Sequence, residues 1–125
     1  MIYGIGTDLI EVERIKKSVE TIDGFKEKIF SADEISYCES KKKKFEHYAA
    51  RYAVKEALFK AIGTGWRNGL AFNEIGVVND KLGKPEINLN GKALEFKESH
   101  NIGKIHVSIS HIKEVAIAFV IVENS

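Results

Sequence analysis

The sequence is short of several things, and each shortage narrows what the chain can be. A single cysteine, Cys38, among 125 residues excludes an internal disulfide and a cysteine-rich zinc site, and points to a reducing compartment. No run of about 18 apolar residues is present, so no membrane span is expected. The first residues lack the basic start and apolar stretch of a secretory signal and enter a strand-like alternation at once, which makes the cytoplasm the expected location. A formal net charge of only +1 argues against general polyanion binding, nucleic acid included, so anion recognition must come from local clusters. Repeats, low-complexity tracts and interdomain linkers are also missing. What remains is ordinary globular composition, 44% apolar and 30% charged. The length suits one domain, 1–125, that buries about two-thirds of its unfolded surface.

The chain is organised around Arg51 to Ile62, a predicted helix because it is rich in Ala and Leu, free of Gly and Pro, and ended by Gly63. At about 100° per residue, Glu56 falls between Ala49 and Tyr52, in a sector that also holds Phe45 and Phe59. A carboxylate there is badly placed for water. Arg51 and Lys55 share another sector, where like charges repel unless they face an anion. Upstream, Ile2 to Ile10 alternates as a strand, with Tyr3, Ile5, Thr7 and Leu9 on one face and Gly4, Gly6 and Asp8 on the other. Two glycines beside one acid make a groove through which another element or a ligand can approach the backbone. The other reading of Asp8 is a cap for the next helix.

That helix, about Glu11 to Glu20, has Val12, Ile15 and Val19 to bury and sends Arg14, Lys16 and Lys17 outward, as a solvated face or as a dock for an acidic protein. An irregular turn is expected around Gly24. Ser31 with Glu34 forms a capping box and Phe30 with Ile35 a hydrophobic staple, so a short helix starts there. The lysine run 41–44 reads as a solvated connection and is assigned no site. The glycine-rich stretch Gly63 to Gly69 reads as a C-cap and turn rather than a phosphate cradle. It follows a helix C-terminus, where the dipole disfavours anions unless cations such as Lys60 and Arg67 compensate.

Phe72 to Val78 and Glu86 to Leu89 are expected strands in a hairpin-like pair, and Lys92 to Glu98 a short helix. Lys104 to His111 alternates, with Ile105, Val107, Ile109 and His111 on one face and His106, Ser108 and Ser110 on the other. Ser110 and His111 therefore point apart and form no nucleophile–base dyad; His111 either caps the strand end or binds a ligand. Glu114 to Val122 is apolar on both faces, which predicts a central strand in an antiparallel hairpin with its predecessor. The expected fold class is α+β, a largely antiparallel sheet of three to five strands packed with helices. Asp8 and Glu56, with no Cys or His cluster beside them, favour a hard cation such as Mg²⁺ completed by water and substrate phosphates. Two polar intrusions into a core, with Glu56 paired to Lys60 along the helix, would look the same.

Gly4-Ile5-Gly6-Thr7-Asp8-Leu9-Ile10-Glu11 with Arg14-Ile15, then Arg51-x-x-x-Lys55-Glu56-Ala57-x-x-Lys60-Ala61, closely resembles the holo-acyl-carrier-protein synthases, the small trimeric branch of the 4'-phosphopantetheinyl transferases. The likeness extends to Gly63-Thr64-Gly65, Gly83-Lys84-Pro85 and the closing His106-Val107-Ser108-Ile109-Ser110-His111. It implies transfer of the phosphopantetheine arm of coenzyme A to a serine of apo-acyl carrier protein, in support of fatty acid biosynthesis. It further implies Asp8 and Glu56 as Mg²⁺ ligands and catalytic acids, with Lys60 assisting at the phosphates. Arg51, Lys55, Lys60, Gly63, Gly65, Pro85 and His111 would lie at the coenzyme, and Arg14 with Lys17 would receive the acidic carrier. A homotrimer with active sites between subunits is implied as well.

Overall fold

Ten-residue stretches at both ends of the chain, one alternating and one apolar on both faces, meet as neighbouring strands. In the computed structural model, which describes residues 1–63 and 69–125, β1 (Ile2–Glu11) pairs antiparallel with β5 (Val115–Asn124), and β4 (Ile102–His111) flanks β5 on its other side. The sheet order is β1-β5-β4, so β5 is central as its apolar sequence predicts. A separate antiparallel hairpin joins β2 (Ile75–Asn79) to β3 (Pro85–Leu89). The expected single sheet is thus two. Strand β2 also begins later than its sequence suggests, because Phe72–Glu74 forms a 3₁₀ turn. Glu74 holds that turn by accepting from the Ala71 and Lys92 backbone N–H groups at 3.0 and 2.9 Å.

Helix α1 (Val12–Thr21) buries Val12 and Ile15. A short α2 (Phe25–Ile29), not anticipated, follows Gly24, whose φ of 75° permits the sharp entry. Helix α3 (Ala32–Glu39) starts at the predicted box: Glu34 N–H donates to Ser31 Oγ at 3.2 Å and Ser31 N–H to Glu34 Oε1 at 3.0 Å. The 19-residue α4 (Lys44–Ile62) is the spine of the molecule. It ends at Gly63, φ 80°, as a left-handed C-cap. Helix α5 is Gly91–Ser99. No helix among the described residues is long and apolar enough to cross a membrane.

Helix α4 lies across the inner face of the three-stranded sheet, where Ala116, Ala118, Val120 and Val122 are fully buried against Ala53, Val54 and Ala57. The glycine face of β1 is part of this contact. A Cβ on Gly4 would sit 1.8 Å from the Ala61 carbonyl oxygen, and one on Gly6 1.9 Å from that of Ala57. The groove seen in the sequence is therefore filled by α4 backbone rather than by a ligand. The outer face of the same sheet is bare in the single chain: Ile5, Leu9 and Phe119 are 63%, 66% and 53% exposed. Strand β5 is apolar on both sides because one side is core and the other an uncovered apolar surface.

Candidate active site

The close packing of β1 on α4 decides where Asp8 goes. Gly4 meets Ala61 and Gly6 meets Ala57, so each two-residue step along the strand moves one helical turn back along α4. Continued by one step, that register brings Asp8 opposite Ala53. The Asp8 and Glu56 carboxylates both act on the Tyr52 hydroxyl, which burial together with the charge and hydrogen bond of Glu56 pushes up to about 12. Asp8 adds to that rise and the Arg14 guanidinium opposes it. Charges from three elements, those of Glu56, Arg14 and Asp8, thus all act on Tyr52. Asp8 is no helix cap: the N-cap of α1 is Glu11, without a side-chain bond.

Lys60 closes one side of the locus around Asp8. Its Nζ donates to Asp8 Oδ1 at 3.2 Å and to the Thr7 carbonyl at 3.0 Å. The Asp8 side chain is 15% exposed and Lys60 56%, so the acid is sunk and the ammonium stands at its rim. An ammonium has three donors, which leaves Lys60 one for an incoming oxygen. The described residues contain no group of three or more His, Cys, Asp or Glu able to hold an ion. Carboxylate oxygens such as those of Asp8 and Glu56 are the donors Mg²⁺ takes, with waters and substrate oxygens as its remaining ligands. Arg14 and Lys17 are both exposed on α1, and Arg14 reaches the Tyr52 side of the locus.

Arg51, Lys55 and Lys60, the cations of α4 expected at the coenzyme, part company. Lys55, expected at the coenzyme, is fully buried and must be reassigned to the core. Its Nζ donates to Glu34 Oε1 at 2.7 Å, to the Phe72 carbonyl at 3.0 Å, and to the Ile75 carbonyl. Burial pulls Lys55 below the usual lysine range, with the Glu34 carboxylate opposing. Glu34 Oε2 in turn accepts the Val77 N–H at 3.0 Å, so one ion pair ties α3, α4 and β2 together. Arg51 is also turned in, 3% exposed, and so does not stand with Lys55 before an anion as the sequence suggested. Its Nη2 donates to Asn79 Oδ1 at 2.9 Å, its guanidinium lies 4.1 Å from the Tyr37 ring centre, and its buried Nε has no partner among the described residues. Asn79 pairs with Pro85 across the β2–β3 hairpin, which puts the half-buried Pro85 next to this arginine network.

His111 stands at the end of β4, its Nδ1 3.0 Å from Glu46 Oε1 on α4 and its ring edge-on to His47 at 5.4 Å. It caps the strand by way of a carboxylate rather than the backbone. Glu46 also lines a cleft of about 380 Å³ with Lys16, Lys42, Lys43, Lys44 and Lys113. The lysine run read as a solvated connection is therefore one wall of a basic surface. Gly63 is an exposed C-cap; Gly65 and Arg67 lie outside the described residues. Tyr52 was missed as a site residue, although its position four before Glu56 gave the signal. Its ring stacks on Phe72 at 5.7 Å, and Phe72 borders an open groove of about 610 Å³ whose other wall includes Ile22, Phe25 and Ile29.

The fold that carries these residues is shared with known proteins. A curated holo-[acyl-carrier-protein] synthase of Ruminiclostridium cellulolyticum is 48% identical over 120 residues, covering 94% of this chain and 90% of that protein. The crystal structure of a holo-[acyl-carrier-protein] synthase from Neisseria meningitidis matches with a TM-score of 0.91 at 34% identity, covering 99% and 100% of the two chains. A holo-(acyl-carrier-protein) synthase from Bacillus anthracis, solved in complex with CoA (3',5'-ADP), matches with a TM-score of 0.83 at 38% identity over 100% of this chain and 99% of that one. The family model for this fold aligns with residues 4–120, from the first packed glycine to the central strand, and the chain belongs to the 4'-phosphopantetheinyl transferase superfamily.

Proposed function

We propose that the protein is a holo-acyl-carrier-protein synthase, which moves the 4'-phosphopantetheine group of coenzyme A onto a serine of apo-acyl carrier protein. This reading is supported by the register that brings Asp8 opposite Ala53 on the helix that carries Glu56, with Lys60 bonded to Asp8 at the rim. In the reaction the serine oxygen bonds to the phosphorus that bears pantetheine. The bond from that phosphorus to the bridging oxygen breaks, adenosine 3',5'-bisphosphate leaves, and the serine gives up its proton. Negative charge grows on the leaving phosphate, so the protein's task is positioning and charge neutralisation. Asp8 and Glu56 would hold Mg²⁺, which when bound supplies positive charge to the pyrophosphate oxygens.

The remaining donor of Lys60 takes a phosphate oxygen beside the two acids. The basic cleft near His111 and the Pro85 turn beside Arg51 offer contacts to the anionic nucleotide end of the coenzyme, a role extended to Gly63 and Gly65 on the motif alone. The groove that Phe72 borders, with Ile22, Phe25 and Ile29 in its lining, suits the uncharged pantetheine arm. Arg14 and Lys17, exposed beside the locus, supply the positive face on which an acidic carrier presents its serine. The free thiol of Cys38, buried and pushed up to about 12 by desolvation, suits a reducing cytoplasm and takes no part in the chemistry.

The bare apolar face of Ile5, Leu9 and Phe119 supports a homotrimer, because burying it against further copies removes a patch that a lone soluble chain would otherwise expose. The deciding experiment mixes the protein with coenzyme A, Mg²⁺ and apo-carrier, and reads the carrier's mass. The carrier should gain one phosphopantetheine; no transfer with any divalent ion overturns the proposal.

A further inference from the structure

The cleft near His111 is lined by five lysines, Lys16 of α1, Lys42, Lys43 and Lys44 at the start of α4, and Lys113 after β4, and by the acids Glu13 and Glu46. Glu13 is exposed, whereas the Glu46 side chain is only 10% exposed. Among the described residues none of the five lysines lies within ion-pair distance of Glu46, and its side-chain partner is His111, Nδ1 to Oε1 at 3.0 Å. A counter-ion for the lysines would lie against one of them; this carboxylate lies against the histidine. A carboxylate accepts and does not donate, so the shared proton sits on Nδ1. That leaves Nε2 without a partner among the described residues, on a side chain that is 31% exposed. The ring is also braced: His47 meets it edge-on with centroids 5.4 Å apart, and Tyr37 of α3 meets His47 edge-on at 5.7 Å. Burial, then the charge of His111, hold His47 below its ordinary range, so at neutral pH His47 steadies the ring by contact and adds no charge.

We propose that Glu46 is a positioning residue for coenzyme binding: it holds Nδ1–H of His111 and so leaves Nε2 as the donor to a phosphate oxygen at the nucleotide end of the coenzyme. With Nδ1–H given to Glu46, Nε2 in the neutral ring is an acceptor and repels such an oxygen; it donates only in the imidazolium. The negative charge of Glu46 offsets the repulsion of that cation by the surrounding lysines. Coenzyme binding therefore takes up a proton at His111. Glu46 does not touch the coenzyme; it acts through the ring. The inference rests on the reading of the basic cleft as the place of the nucleotide end.

The test titrates coenzyme A calorimetrically into the full-length protein with Mg²⁺, in two buffers of different ionisation enthalpy, which yields affinity and proton uptake together. The wild type should take up a proton. Glu46→Gln keeps an oxygen for Nδ1–H and removes the charge, and it should abolish the uptake and weaken binding about tenfold, the scale of one charge-assisted hydrogen bond, with the urea midpoint retained. His111→Gln should lose as much, and the double variant no more than His111→Gln alone. A wild type that takes up no proton overturns the proposal, as does a Glu46→Gln affinity within twofold of wild type. Additive losses in the double variant overturn it as well, since Glu46 would then act on its own. If His111→Gln binds coenzyme A as the wild type does, the reading of the cleft fails and the proposal with it.

Discussion

Replacing Lys55 with Met keeps the aliphatic stem and deletes the ammonium from a site with no solvent exposure. The Glu34 carboxylate would then keep only the Ser31 and Val77 N–H groups, and the Phe72 and Ile75 carbonyls would each lose a donor. Breaking a buried pair from one side leaves an uncompensated charge and costs about 3–5 kcal/mol. Set against a typical total stability of about 5–15 kcal/mol, that is a large share. Urea unfolding at neutral pH should therefore show a sharply lowered midpoint for Lys55→Met. Adding Glu34→Gln removes the stranded charge, so the double variant should be more stable than the sum of the single losses by about 2 kcal/mol. Binding of coenzyme A by the folded fraction of Lys55→Met, measured by calorimetry in the cold, should stay near wild type. A variant as stable as wild type that binds coenzyme A tenfold more weakly would refute this reasoning and return Lys55 to the ligand.

Gly6→Ala drives a methyl into the Ala57 carbonyl, so β1 and α4 must separate; about 3 kcal/mol of stability should be lost in urea, since overpacking at a backbone contact has no flexible side chain to yield. His47 is held below its ordinary 6.5 by burial, then by His111, Arg51 and Lys41. The unfolded chain therefore takes up a proton that the fold refuses, and stability should fall as pH drops below about 6.5. His47→Gln should flatten that slope in urea midpoints taken from pH 7.5 to 5.5, and an unchanged slope would show that another group titrates. Reversing charge with Arg14→Glu should raise the KM for the carrier at least about tenfold while leaving coenzyme A affinity within twofold; an equal loss of both would place Arg14 at the coenzyme.

The elements were legible wherever local chemistry decides them. The Ser31 and Glu34 box, the Gly63 cap, the alternating strands β1 and β4 and the apolar central strand β5 all formed. The partner of the Gly4 and Gly6 face was not legible, because missing side chains invite any close approach and only the tertiary contact names α4. Helical spacing put Arg51 and Lys55 on a shared sector but could not say that Glu34, from a different helix, would draw Lys55 inward. The same capping residue does both jobs, and a sequence shows only the local one. Asp8 and Glu56 could be nominated as acids on inward faces; the turn of α4 that Asp8 lies against follows from a register set by two glycines. The lysine run 42–44 looked like solvent-facing charge because its other wall, Lys16 and Lys113, comes from distant parts of the chain.

The central claim is that the Asp8 and Glu56 carboxylates act together on a cation that makes phosphopantetheine transfer possible. Glu56→Gln preserves shape and removes charge, so its initial rate of mass gain on apo-carrier, at saturating coenzyme A and Mg²⁺, tests that claim most directly. The account predicts a rate at least ~100-fold below wild type, the scale of losing one preorganised electrostatic group, with the urea midpoint retained. A near-normal rate would contradict it.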